Sequence, residues 1–157
     1  MLPVRRSLVL LAALAGVPGW LHAADDKVIE GDLKKMQGEW LATALDGGGQ
    51  SAPKELIKGF RVTIKGDEML ILVKDHPDDK HAATIKLDAT KTPKTIDVTP
   101  AGPEKDNTIH GIYAFENGTL KIYAPNKPGN ESTRPKEFKS PTEDDASLLV
   151  LERVKEK

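Results

Sequence analysis

Phe60-Arg61-Val62-Thr63-Ile64-Lys65-Gly66-Asp67-Glu68-Met69-Leu70-Ile71-Leu72-Val73-Lys74 is the stretch that decides the fold. Phe60, Val62 and Ile64 alternate with Arg61, Thr63 and Lys65, a two-residue period that fits a strand with one face buried. Gly66-Asp67 suits a two-residue hairpin turn. Residues 68–74 follow as a nearly continuous apolar run, which predicts a strand covered on both faces. Two strands joined by a two-residue turn must run antiparallel, because a parallel pair needs a crossover of about a dozen residues or more.

Working outward, the same grammar repeats. Residues 39–45 read as an earlier strand, and residues 54–58, after Pro53, as one helical turn. Residues 75–80 read as a charged loop. Ala83, Ile85 and Leu87 alternate with Thr84 and Lys86. A short strand is expected over 94–99, between Pro93 and Pro100, and a loop over 101–107. Residues 108–116 and 119–124 flank Asn117-Gly118, and Asn-Gly is the strongest short hairpin signal. Residues 125–145 are long, polar and proline-rich, and a closing strand is expected over 147–154. The expectation is an all-β domain of eight antiparallel strands. A closed barrel removes exposed edges. A two-sheet sandwich is the competing architecture.

Two features at the ends of the sheet favour the barrel. Asp32 is placed to cap a short helix over 33–37, stopped by Gly38. Gly38-Glu39-Trp40 then opens the first strand, and Arg153 ends the last. This resembles the lipocalin signature, in which an arginine on the last strand packs across the tryptophan that opens the first. A guanidinium over an indole is a cation–π contact worth about 0.5–1 kcal/mol when exposed and about 2 when desolvated. Here it would tie the first strand to the last. Met36-Gln37-Gly38-Glu39-Trp40, Thr92-Pro93-Lys94-Thr95-Ile96-Asp97-Val98, Gly111-Ile112-Tyr113, Arg134-Pro135-Lys136-Glu137-Phe138 and Leu149-Val150-Leu151-Glu152-Arg153 occur in that order. Together they resemble an uncharacterised lipocalin-like family expanded in planctomycete bacteria. The resemblance implies an eight-stranded lipocalin-like barrel with a short N-terminal helix in an extracytoplasmic setting. It carries no activity with it.

The start of the chain is not fold material. Arg5 and Arg6 precede an apolar run over 8–17, Pro18-Gly19 breaks it, and Leu21-His22-Ala23-Ala24 offers small residues for cleavage. That is the anatomy of a secretory signal. The run is too short for a bilayer, which needs about 20 apolar residues. The expected organisation is a signal peptide over 1–23, a leader and short helix over 24–37, and the barrel over 38–157. The mature protein would be periplasmic or extracellular, with no membrane span. The chain carries 23 basic and 24 acidic residues. Losing Arg5 and Arg6 turns a net charge of −1 into −3, which does not suit a nucleic-acid backbone. With no cysteine there is no disulfide framework, so the fold rests on its core.

Chemistry-bearing motifs are sparse. His76 and His81 lie in the stretch 75–81, which reads as a solvated turn rather than a metal loop. His110, a lone strand histidine, has no second ligand for a haem. No nucleophile motif is present, and no catalytic residue, metal or cofactor is assigned. The expected barrel lining is Phe60, Val62, Ile64, Ile85, Leu87, Ile109, Tyr113 and Phe115. Arg134 is a candidate for an anionic ligand at the barrel mouth, with Phe138 as its lid. In the competing reading Arg134 pairs with an acid to fix the loop, while Phe138 plugs the core. Two functions stand ahead of a third, an enzyme, which would need a pocket holding a carboxylate or histidine with a strongly perturbed titration. One is a module binding a small apolar or amphipathic ligand. The other is a packed structural or protein-interaction scaffold at the cell envelope, meeting an envelope protein and holding no ligand cavity.

Overall fold

The computed structural model describes residues 20–74, 76–139 and 145–155. The charged and apolar segments of the expected export leader therefore lie outside the described residues. Helix α1 (Trp20–Met36) leads into β1 (Gly38–Gly47), β2 (Gln50–Ser51), helix α2 (Lys54–Lys58), β3 (Phe60–Lys65), β4 (Glu68–Val73) and β5 (His76–Asp88). Then come β6 (Lys94–Pro100), β7 (Ile109–Glu116), β8 (Thr119–Pro125) and β9 (Ala146–Arg153). From β3 onward each strand pairs antiparallel with the next. β1 pairs with β3 on one side and β9 on the other, so eight strands close into a barrel and β2 is a short appendage on β1. A bulge between Ala42 and Ala44 bends β1 along its seam with β9, the usual device for curving a strand.

Alternation sets the inside. Register pairs such as Trp40 with Val62, Ile64 with Met69, Leu87 with Ile96, and Leu120 with Leu151 bring one apolar side chain per step to the axis. These residues form one continuous core. α1 closes one end, with Ile29, Leu33 and Met36 on a single helical face against that core.

The closing contact is the one the sequence points to. Trp40 pairs with Arg153 across the β1–β9 seam, and the guanidinium lies 4.4 Å from the indole centroid. The same guanidinium donates to the carbonyls of Gln37 (2.5 Å) and Lys35, capping the C-terminal end of α1. A cation there satisfies carbonyls that the helix leaves unpaired and complements its dipole. The indole Nε1 donates to the Met36 carbonyl at 2.8 Å. Gly38 sits between them at φ +113°, and a Cβ there would stand 3.0 Å from Arg153 Nη1. Glycine is needed for both the backbone and the close approach.

Four local expectations are corrected. The helix is not confined to 33–37 but starts at Trp20, and Asp32 is not its cap: it lies within the helix and is buried. Ile29, Asp32, Leu33 and Met36 share one face, so tertiary packing draws Asp32 inward. Residues 76–80 are not a loop but the first part of β5, pairing with the end of β4. A neighbouring strand edge supplies hydrogen bonds that local composition does not announce. β4 is not covered on both faces: Met69 is buried inside, while Leu70 and Leu72 are half-buried on the outer face. Phe138 does not plug the core. It is 38% exposed and leans on Tyr123 outside the barrel, with ring centroids 6.2 Å apart.

Candidate functional site

Seven of the eight predicted lining residues come together. Val62, Ile64, Ile85, Leu87 and Tyr113 are buried in the core, and Phe60 and Phe115 pack against it half-buried. Ile109 is half-buried on β7, two pleats from Tyr113. The seven fill the interior with one another. Val62, Ile96, Leu120 and Leu151 are fully buried. The Tyr113 ring meets Phe115 edge-on at 6.0 Å.

Where the interior meets the floor there is a polar lock that sequence reasoning missed. The Asp32 carboxylate receives hydrogen bonds from the Lys94 ammonium at 2.5 Å and the Tyr113 hydroxyl at 2.9 Å, with Lys35 at 3.4 Å. Burial pushes this carboxyl up, but the hydrogen bonds from Lys94 and Tyr113 and the Lys94 charge outweigh it and hold it below its ordinary value. Burial, then the Asp32 hydrogen bond, drive Tyr113 the other way, so its phenol stays protonated. Lys94 and Tyr113 are register partners on β6 and β7, so one carboxylate from α1 fastens the helix to two strands.

A second cluster sits on the outer face. Asp97 on β6 and His110 on β7 are register partners, and His110 Nδ1 lies 2.8 Å from Asp97 Oδ1. Arg134 descends onto them from the long loop. Its Nη2 donates to Asp97 and to Glu131, and its Nε to Glu131, each at 2.6 Å. Its Nη1 donates to the Gly111 carbonyl at 2.6 Å and more weakly to that of Ile96. The local chain makes this inevitable. Asn130 caps the helical turn Glu131–Thr133, its side chain accepting from Ser132 N at 3.0 Å. Pro135 then holds Arg134 in an extended conformation.

The Asp97, His110 and Glu131 ligand atoms lie within 4.8 Å of one another, the only such metal-type group among the described residues. Arg134 Nη2 stands where an ion would, 2.6 Å from both carboxylates and 3.3 Å from the imidazole. One guanidinium charge is thus shared between the two carboxylates and occupies the position an ion would need. Burial raises Asp97, but Arg134 and His110 bring it below its ordinary value; Arg134 does the same to Glu131. Glu131 and Asp97 in turn raise Arg134.

This clasp forms one wall of a groove of about 600 Å³ on the outside of the barrel. The opposite wall is the β5–β6 turn with Lys91, Thr92 and Pro93, and the near wall carries Arg134, Pro135 and Lys136. Lys86 and Thr95 line it from the strands, with the buried Ile112 beneath. Other concavities are about 520 Å³ beside Tyr123 and Pro128, about 650 Å³ around Gly38 and Arg153 at the floor, and about 470 Å³ between Lys35, Lys94 and Phe138, where Tyr113 and Phe115 form part of the lining. No family model, curated protein or solved structure matches the chain. The groove therefore has to be judged on its own chemistry. Three of the segments that carry the sequence resemblance meet there: Thr92-Pro93 with Thr95 and Asp97, Ile112, and Arg134-Pro135-Lys136.

Arg134 was legible as a loop-fixing arginine. Its partners Asp97 and Glu131, and the groove lysines Lys86, Lys91 and Lys136, were not. Asp97 at an outward position of a strand was the one signal that could have found the clasp.

Proposed function

We propose that the mature chain is an exported lipocalin-like barrel that serves as a packed interaction scaffold at the cell envelope and meets an envelope protein through its outer face. The observation that carries this reading is the filled interior: the side chains that alternation sends inward occupy the axis themselves, and α1 covers one end. A ligand site of ordinary size takes about 300–1,000 Å³, and the concavities of that size beside Arg134 and beside Tyr123 lie on the outer flank of the barrel. A small apolar ligand at the axis would have to displace well-packed side chains, which costs about 1–3 kcal/mol or more. Export rests on the signal-like segment before Ala24.

The test is native mass spectrometry of the purified mature protein offered fatty acids, sterols and pigments. No retained ligand is expected. A stoichiometric apolar ligand, lost when Val62 or Ile64 is replaced by a larger side chain, would replace this reading with the ligand-carrier one. Expression of the full chain in a bacterium, followed by N-terminal sequencing, checks export: the mature protein is expected in the periplasm or medium, beginning at or next to Ala24.

A further inference from the structure

We propose that the groove between the β5–β6 turn and the arm carrying Arg134 and Lys136 binds an extended acidic peptide segment of a partner protein. This deepens the scaffold reading and rests on it. Several charged groups of the groove already have partners. Asp97 and Glu131 are held by Arg134, and Asp88 accepts from the Thr90 backbone at 3.0 Å and from its hydroxyl at 2.5 Å. The lysines are not spent. Among the described residues, Lys86 and Lys136 make no ion pair, and Lys91 acts on Asp88 only through its field. The lining thus carries four cations, Lys86, Lys91, Lys136 and Arg134, against three carboxylates, Asp88, Asp97 and Glu131, and the three ammonium groups are the cations without an ion-pair partner, in a chain that is net acidic. A local potential opposite to that of the whole molecule selects an anionic partner and steers its approach.

Shape narrows the class. The groove is an open channel with Pro93 and Pro135 on facing sides, so its apolar contact between the lysines comes from the two proline rings. No aromatic ring lines it, which removes the stacking platform that bases use. Alternating carboxylate and apolar side chains on an extended backbone match this arrangement, one set meeting the lysines and the other the prolines on the walls. The walls are preorganised. Arg134 fixes one through hydrogen bonds to Asp97, Glu131 and Gly111, and Asp88 with Thr90 ties the other. A partner therefore loses little free energy in ordering the site.

The experiment is fluorescence anisotropy of the mature protein with a short labelled peptide alternating glutamate with leucine and proline, at low and physiological salt. A peptide with glutamine in place of glutamate serves as control. Binding of the glutamate peptide is expected, weakened by salt as surface charge pairs are, with no binding of the glutamine peptide. The triple reversal K86E/K91E/K136E is expected to weaken binding at least about tenfold, while the reversals K54E/K58E on α2 leave it unchanged. Thermal melts of each variant separate loss of binding from loss of fold. If the triple variant does not fold, the single reversal Lys136→Glu, on the exposed arm, carries the test with an expected loss of about threefold. The proposal is overturned by no binding at low salt, by equal binding of the glutamine peptide, by insensitivity to the groove reversals, or by preference for a sulfated polysaccharide over the peptide. These outcomes leave the scaffold reading standing, which only an apolar ligand retained inside the barrel removes.

Discussion

Replacing Asp32 by alanine removes the carboxylate that joins α1 to β6 and β7, and its cost can be built from what is left behind. The Tyr113 hydroxyl is buried and Asp32 is its hydrogen-bond acceptor. Orphaning a buried hydroxyl costs about 1–3 kcal/mol. Lys94 also loses its ion-pair partner, but its side chain is 38% exposed and water can take the ammonium back. That loss is discounted to about 1 kcal/mol at most. Asp32→Ala is therefore expected to destabilise the barrel by about 1–4 kcal/mol. Tyr113→Phe, which leaves Asp32 paired with Lys94, is expected to cost about 1 kcal/mol. The double variant should cost about 1–2 kcal/mol less than the sum of the two, because it has no orphaned hydroxyl. Urea unfolding read by Trp40 fluorescence measures all three, since Trp40 is the only tryptophan after residue 20. At a slope of about 2 kcal/mol per molar, the middle of the usual range for urea, the Asp32→Ala midpoint should fall by about 0.5–2 M. A loss under about 0.5 kcal/mol, or simple additivity in the double variant, would refute the lock. The same carboxylate makes an acid prediction. Its native value lies below its unfolded one, so it binds its proton more tightly when unfolded. Its stabilisation is complete above the ordinary aspartate range, about pH 4, and is lost as pH falls through the lower native value. Asp32→Ala should therefore flatten the stability profile below about pH 4.

Arg134→Ala should cost about 1–3 kcal/mol, because it breaks charge-assisted bonds to Asp97 and Glu131 and frees the Gly111 carbonyl. Limited proteolysis should then cut near Asn130 faster, with the barrel strands still protected; unchanged cleavage would deny the clasp its role. Gly38→Ala forces a Cβ to 3.0 Å from Arg153 Nη1 at φ +113° and should cost about 1–3 kcal/mol, read as a lower melting temperature and altered Trp40 emission. Arg153→Ala should give a loss of about 1–3 kcal/mol from the same floor. In the double variant the two losses should fall short of their sum, because alanine at 38 no longer meets the guanidinium. Asp97 and Glu131 are both depressed by Arg134, so the loop, held firmly near neutral pH, should loosen before the barrel unfolds as pH drops through their native values. Amide exchange across residues 126–139 would show it.

The strands, their antiparallel order and the closure of the barrel were written in the chain, because they depend on short-range signals. The period of Phe60 to Lys65, the Gly66-Asp67 and Asn117-Gly118 turns, and the Gly38–Trp40 opening with Arg153 at the end each act over a few residues or at fixed termini. What only the tertiary structure decided are the groups whose partners are remote. Asp32 reads locally as a helix cap and becomes a buried tie only because Lys94 and Tyr113, 62 and 81 residues on, arrive as register neighbours above it. Residues 76–80 read as a charged loop until the end of β4 offers them an edge. The groove exists because the loop after β8 folds back and spends Arg134 on Asp97, leaving Lys86, Lys91 and Lys136 unpaired. Backbone period is a local property of the chain, whereas the pairing of charges is set by which distant strands closure brings side by side.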